Sequence, residues 1–122
     1  MSILGIDHVQ LVAPPDCEAE ARRFFGQVLG LREIERPPSL GGRGGVWFRA
    51  GEQQIHVGVQ EGFVPASKAH PALLVDSAGL EDMAGRLEQA GAPVTWDDRL
   101  APLRRFYTTD PWGNRIELVA AR

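Results

Sequence analysis

Three histidines and one glutamate carry the chemistry this sequence offers: His8 in "IDHVQLVA", His56 in "QQIHVGV", His70 in "HPALLV" and Glu117 in "RIELVA". Each sits in or beside a strand-like run, and side chains on a strand alternate between its two faces. His8 therefore shares a face with Gln10 and Val12, opposite Val9 and Leu11. Likewise Gln54, His56 and Gly58 oppose Ile55, Val57 and Val59, while His70, Ala72 and Leu74 oppose Leu73 and Val75. Arg115, Glu117 and Val119 oppose Ile116, Leu118 and Ala120. All three histidines of the chain and one glutamate thus fall opposite the more apolar faces. Three imidazoles and a carboxylate suit a first-row divalent metal. The alternative is a solvent-facing surface, polar for solubility, although Lys, Glu, Arg and Thr ordinarily serve that purpose. Periodicity alone leaves both readings open.

The elements that must position these residues occur twice. Residues 16–29, "DCEAEARRFFGQVL", place Ala21, Phe24, Phe25, Val28 and Leu29 at the spacing of an amphipathic helix, with Asp16 as a cap and Gly30 as a stop. Residues 79–90 repeat the device with Leu80, Met83, Ala84 and Leu87, capped by Asp76 or Ser77 and stopped by Gly91. Strands are expected at 3–13, 32–35, 46–50 and 53–60 around the first helix. Around the second they are expected at 71–75, extending back to include His70, and at 93–96, 104–109 and 115–120. The order is β-α-β-β-β, twice. Gly30 and Gly91 lie 61 positions apart, His8 and His70 lie 62 apart, and His56 and Glu117 lie 61 apart. Three landmarks in one register point to an internal duplication.

A single α+β domain over 1–122 follows, with module 1 at 1–61, module 2 at 68–122, and a curved mixed sheet around a pocket. The linker "EGFVPASKA" is short and polar. "RPPSLGGRGG" at 36–45 has no Gly-Lys-Ser/Thr and no following helix, so a mobile hairpin loop over the pocket is expected in place of a phosphate cradle.

Composition narrows the function classes. Hydrophobic residues at 43% and charged residues at 24% describe an ordinary globular chain, and a net charge of −3 from mixed signs excludes a nucleic-acid stripe or polybasic membrane arm. No apolar stretch is long enough to span a bilayer, and Asp7 and His8 interrupt the N-terminal apolar run too early for a signal peptide. A cytoplasmic location is expected, consistent with one cysteine and no internal disulfide. Cys17 lies near a helix start, which favours a thiolate, but no neighbouring base accompanies it. Trp47, Trp96 and Trp112 read as packing residues, and Asp110 to Asn114 reads as a turn.

The paired modules, with "DHVQL" near the start and "DPWGNRIEL" near the end, resemble the vicinal oxygen chelate superfamily. That group contains glyoxalase I, fosfomycin-resistance proteins, extradiol dioxygenases and bleomycin-resistance proteins. The similarity covers nearly the whole chain, and the closing motif is its more specific part. The resemblance implies metal ligands at His8, His56, His70 and Glu117, for one divalent ion per site drawn from Zn, Ni, Mn, Co or Fe. Glyoxalase I carries a glutamate where His56 stands, so a candidate base of that reaction is missing. The fosfomycin-resistance and dioxygenase branches imply a two-histidine, one-glutamate set that His8, His70 and Glu117 supply. His56 is then a fourth ligand or a neighbouring acid/base, and Glu117 a ligand that doubles as a base if it dissociates.

Gln10, Arg105 and Tyr107 are the expected substrate-pocket residues, the last two at positions that line pockets in the family. An arginine at 105 suits a carboxylate, phosphonate or enolate oxygen, with a surface ion as the alternative. The expected activity is Lewis-acid chemistry on a small substrate chelating the ion through adjacent oxygens, in a homodimer with no nucleic-acid or membrane partner. The rival is a non-catalytic binding protein of the bleomycin-resistance kind that sequesters a small molecule in the same concavity.

Overall fold

The computed structural model describes residues 1–42 and 44–122; Arg43 of the glycine-rich 36–45 loop, expected to be a mobile hairpin, lies outside them. The chain forms two compact units, Met1–Phe63 and Val64–Arg122. Both show the β-α-β-β-β order expected from the duplication.

In the first unit, β1 (His8–Ala13) leads into α1 (Glu18–Ala21), which continues as a π-helical segment, Arg22–Val28. Strands β2 (Arg32–Ile34), β3 (Val46–Ala50) and β4 (Gln53–Val59) follow. They form one sheet in the order β1-β4-β3-β2, with β1 parallel to β4 and the remaining pairs antiparallel. Phe25 and Phe48 are fully buried between the helical segment and the sheet, their ring centroids 5.6 Å apart. Burial of each such side chain stabilises by about 1.5–3 kcal/mol.

The single α-helix expected over 16–29 is corrected here. The Leu29 N–H donates to the Phe24 carbonyl at 2.9 Å, an i→i−5 bond, so the chain winds wider than an α-helix. Ala21, Phe24, Phe25 and Leu29 still reach the core. Asp16 is not the cap: it adopts φ 65, and Cys17 occupies the N-cap position without a side-chain hydrogen bond. Cys17 is buried, and that burial, then the charge of Glu18, pushes its thiol pKa up. The thiolate expected from the helix start is therefore disfavoured. Strand β1 also begins later than expected, leaving Ile3, Leu4 and Ile6 exposed.

The second unit repeats the plan with β5 (Ala72–Val75), a 3-10 turn at Ser77–Gly79, α2 (Leu80–Gln89), β6 (Thr95–Asp97), β7 (Arg105–Thr109) and β8 (Arg115–Ala120). The sheet order is β5-β8-β7-β6, again with one parallel pair, β5 with β8. Leu80, Leu87, Phe106, Ile116 and Leu118 form its core. These are the apolar face of α2 and the alternate positions of β7 and β8, so helix period and strand period meet in one layer. His70 precedes β5 and does not belong to it, but the Pro71 carbonyl accepts the Glu117 N–H at 3.0 Å and ties this approach to β8. Among the described residues no helix is long and apolar enough to cross a membrane.

Candidate functional site

In the first unit the register sets Gln10 of β1 and Trp47 of β3 on either side of His56 of β4. The three rings His8, His56 and Trp47 form a stack. Trp47 lies 3.6 Å from His56 at 4° between planes, and His8 lies 4.2 Å from it at 16°. His56 is only 4% exposed, whereas His8 is exposed. Burial first, then the neighbouring His8, holds the His56 pKa below the ordinary histidine value, which keeps this ring neutral. Gln10 lies across Gly58, where a Cβ would come within 2.7 Å of its amide nitrogen. Gln10 therefore reaches over β4 only because residue 58 has no side chain.

In the second unit His70 Nε2 lies 3.1 Å from Glu117 Oε1, and Arg105 Nη1 lies 3.3 Å from Glu117 Oε2. Arg105 also meets Asp97 Oδ1 at 3.4 Å, and Arg99 meets Asp97 Oδ2 through Nε at 2.9 Å. Hydrogen bonds from Arg99 hold the Asp97 carboxyl well below the usual carboxylate range, so Asp97 is a fixed negative charge in this chain. The run Arg99–Asp97–Arg105–Glu117 thus alternates guanidinium and carboxylate, and His70 closes it. Its cross-strand spacing follows from the pairings Asp97 with Arg105 and Tyr107 with Glu117.

Each imidazole has one nitrogen committed to an oxygen. His8 Nδ1 lies 2.9 Å from Asp7 Oδ2, His56 Nε2 lies 2.8 Å from Gln54 Oε1, and His70 Nδ1 lies 2.8 Å from the Lys68 carbonyl. An oxygen acceptor beside one ring nitrogen fixes the proton there and leaves the lone pair on the other. For a neutral His70, that lone pair at Nε2 faces an oxygen of Glu117 at hydrogen-bond distance, two acceptors that a shared proton, or a cation bound to both, would satisfy.

Arg105, expected to bind substrate, lies between Asp97 and Glu117 and meets a carboxylate oxygen of each. Tyr107 does border a cavity, of about 360 Å³, together with Ser67, Thr95, Thr109 and Arg115. The Arg115 guanidinium lies 3.9 Å from the centre of the Tyr107 ring, and the His70 ring meets that ring edge-on at 5.3 Å. Arg115 was legible on the Glu117 face from alternation, but nothing in the sequence distinguished it from a surface ion. Asp97 carried no such signal. Within neither unit do three His, Cys, Asp or Glu side chains gather among the described residues.

Comparison with known proteins gives this geometry a context. A glyoxalase family protein from Bacillus anthracis is 44% identical, superposes with a TM-score of 0.91, and is matched over 100% of this chain and 98% of that one. The lactoylglutathione lyase of Agrobacterium tumefaciens shares the fold at 21% identity and a TM-score of 0.75, over 99% and 96% of the two chains. The fosfomycin resistance protein FosX of Mesorhizobium loti does so at 21% identity and a TM-score of 0.76, over 99% and 95%. Biphenyl-2,3-diol 1,2-dioxygenase of Paraburkholderia xenovorans (strain LB400) is 33% identical over 102 residues, 80% of this chain and 33% of that protein. The chain thus spans about a third of the length of the curated relatives it matches. A family model described as Glyoxalase/Bleomycin resistance protein/Dioxygenase superfamily matches residues 5–118, and the chain belongs to that superfamily.

Proposed function

We propose that the chain is a divalent-metal-dependent enzyme acting on a small substrate that presents two adjacent oxygens, with His8, His70 and Glu117 as the metal-holding residues. The observation that carries this reading is the opposed pair His70 Nε2 and Glu117 Oε1 at 3.1 Å, with His70 Nδ1 already engaged by Lys68. A divalent cation held by both groups would satisfy both. The donors are two imidazoles and one carboxylate, which fits Mn, Fe, Co, Ni or Zn in place of a hard all-oxygen ion. The ion, when bound, supplies Lewis-acid polarisation of the substrate's paired oxygens. Arg105 holds the far oxygen of Glu117, so the carboxylate keeps its orientation when the near oxygen is engaged. Glu117 would carry the negative charge of the ligand set, and its Oε1 is the oxygen that could take up a substrate proton.

His56 belongs to this reading as a positioning residue for His8 in place of a fourth ligand. An imidazole ligand takes an ion in its ring plane, and two rings stacked at 4.2 Å with 16° between planes share no point within bonding reach of both. Since neither unit gathers three donors, we further propose that the two modules work together as one domain over 1–122 in a homodimer. In that assembly His8 of one copy joins His70 and Glu117 of a second copy.

Metal analysis of protein purified without chelator and reconstituted with each of the five ions tests the metal centre. About one ion per chain is expected, falling sharply in His70→Ala. Uptake far from stoichiometric with all five removes the metal centre. Screening vicinal diols and α-hydroxycarbonyls with and without oxygen then separates oxygenation from isomerisation or addition.

A further inference from the structure

We propose that the cavity beside Tyr107 is an anion subsite, with Arg115 as its binding cation, that takes a carboxylate carried on a small apolar body. Three observations lead there. First, Arg115 forms no ion pair among the described residues, whereas its neighbours Arg99, Arg104 and Arg105 are each held by a carboxylate: Asp97, Glu81, and Asp97 with Glu117. Second, the Arg115 guanidinium carbon lies over the Tyr107 ring, 3.9 Å from its centre. Stacking of this kind orders the group while leaving the N–H donors around its edge unspent, and those donors match a carboxylate in a bidentate fork. Third, no carboxylate among the described residues lines the cavity, while the hydroxyl-bearing Ser67, Thr95 and Thr109 do. An anion entering it meets donors and no opposing charge.

The rest of the wall supplies the apolar body's contacts. Pro65 and Pro93 flank the cavity, and Gly113, at φ 94, lets Pro65 come close: a Cβ at 113 would lie 3.2 Å from the proline ring. About 360 Å³ falls in the range that holds a small molecule. Tyr107 is the link to the proposed metal centre, since its ring meets Arg115 on its face and His70 at its edge. A substrate with an acid group at one end and vicinal oxygens at the other would be anchored at Arg115, with Tyr107 between that anchor and His70. That role in substrate binding rests on the metal reading above; the anion subsite itself does not.

Benzoate and its neutral isostere benzamide are the probes, followed by ligand-observed NMR titration against the full chain. Wild type, Arg115→Gln, Arg115→Lys and Arg122→Gln as a charge control are compared, each checked for native folding by circular dichroism. In metal-free wild-type protein, benzoate is expected to bind at least about tenfold more tightly than benzamide. Arg115→Gln erases that preference, Arg115→Lys keeps part of it, and Arg122→Gln leaves it whole. Equal binding of the two probes, or a preference intact in Arg115→Gln, overturns the subsite. So does a benzoate preference seen only after metal loading, which places the anion on the ion. Each of these failures leaves the metal centre standing, because metal uptake is measured separately. Should Arg115→Gln not fold, a reduced preference in Arg115→Lys supports the subsite, and a preference at the wild-type level there overturns it.

Discussion

His70 and Glu117 face each other across 3.1 Å although the carbonyl of Lys68 already accepts from the other nitrogen of the ring. Glu117→Gln keeps the shape at this position and removes the charge that draws a cation between the two. The substitution is expected to weaken metal binding by about a hundredfold, as measured by competition with a chelator of known affinity. Arg105 retains Asp97 in the variant, so the metal-free protein loses only about 1 kcal/mol of stability. Unchanged metal affinity shows that Glu117 is not a ligand.

The stack of Trp47, His56 and His8 separates a ligand from a support. His56→Phe preserves a flat ring between the other two and has no nitrogen, while His56→Ala removes the ring. If His56 acts by positioning His8, Phe retains metal affinity within about threefold and Ala loses about tenfold. Equal losses in both variants identify an imidazole nitrogen of His56 as a donor.

The sequence made the duplication legible because two periods were written into it without interruption. Alternation in "IDHVQLVA" and "RIELVA" placed His8 and Glu117 on definite faces, and the strand order of both sheets follows the repeat. The helix ends were less legible. Asp16 has the composition of a cap, yet it adopts a left-handed backbone angle and leaves Cys17 at the cap position. Whether Arg105 would be free or paired depended on Asp97, a residue on a neighbouring strand whose pairing no local pattern records. Arg115 shows the converse: its face was readable, but that no carboxylate among the described residues pairs with it is a property of the whole unit.

Cys17 is 2% exposed, and burial pushes its thiol pKa up, so two separate effects oppose alkylation. Native protein at mildly alkaline pH is expected to react with iodoacetamide far more slowly than a free thiol and to react fully in denaturant. Rapid modification of the folded chain, followed by mass spectrometry, contradicts the buried placement.

Asp110 supports the turn that carries the chain into β8. Its Oδ1 accepts from the Trp112 and Asn114 backbone N–H groups at 3.0 and 2.9 Å, and its Oδ2 accepts from the Asn114 amide at 2.7 Å. Burial pushes its carboxyl pKa up, and the hydrogen bonds from Asn114, Trp112 and Gly113 oppose that shift without cancelling it. A carboxyl with a raised folded-state pKa binds its proton more tightly when folded. Its contribution is therefore complete below the ordinary carboxylate range and is lost as pH rises through the raised value. Asp110→Asn cannot titrate. The stability difference between wild type and this variant, read from urea unfolding, is expected to be larger in acid than at neutral pH. A gap that widens towards neutrality reverses the assigned shift.

Assembly of the proposed metal centre from two copies is the remaining test. Within their own sheets β1 and β5 are edge strands, and the residues just before or at their starts, His8 and His70, are the ligands each module supplies. Leu74 on β5 is 71% exposed, an apolar side chain on an edge that another chain can cover. His8→Ala and Glu117→Ala each damage every site of their own homodimers. In a mixed dimer one cross-chain site carries both lesions and the other carries neither. Random exchange makes about half of the dimers mixed, so about a quarter of all sites regain wild-type metal affinity. Sites contained within single chains regain nothing on mixing. Exchange itself is followed independently, by native mass spectrometry of one labelled variant. No recovery in an exchanged population rejects the shared site and leaves the assignment of His8, His70 and Glu117 to be tested one chain at a time.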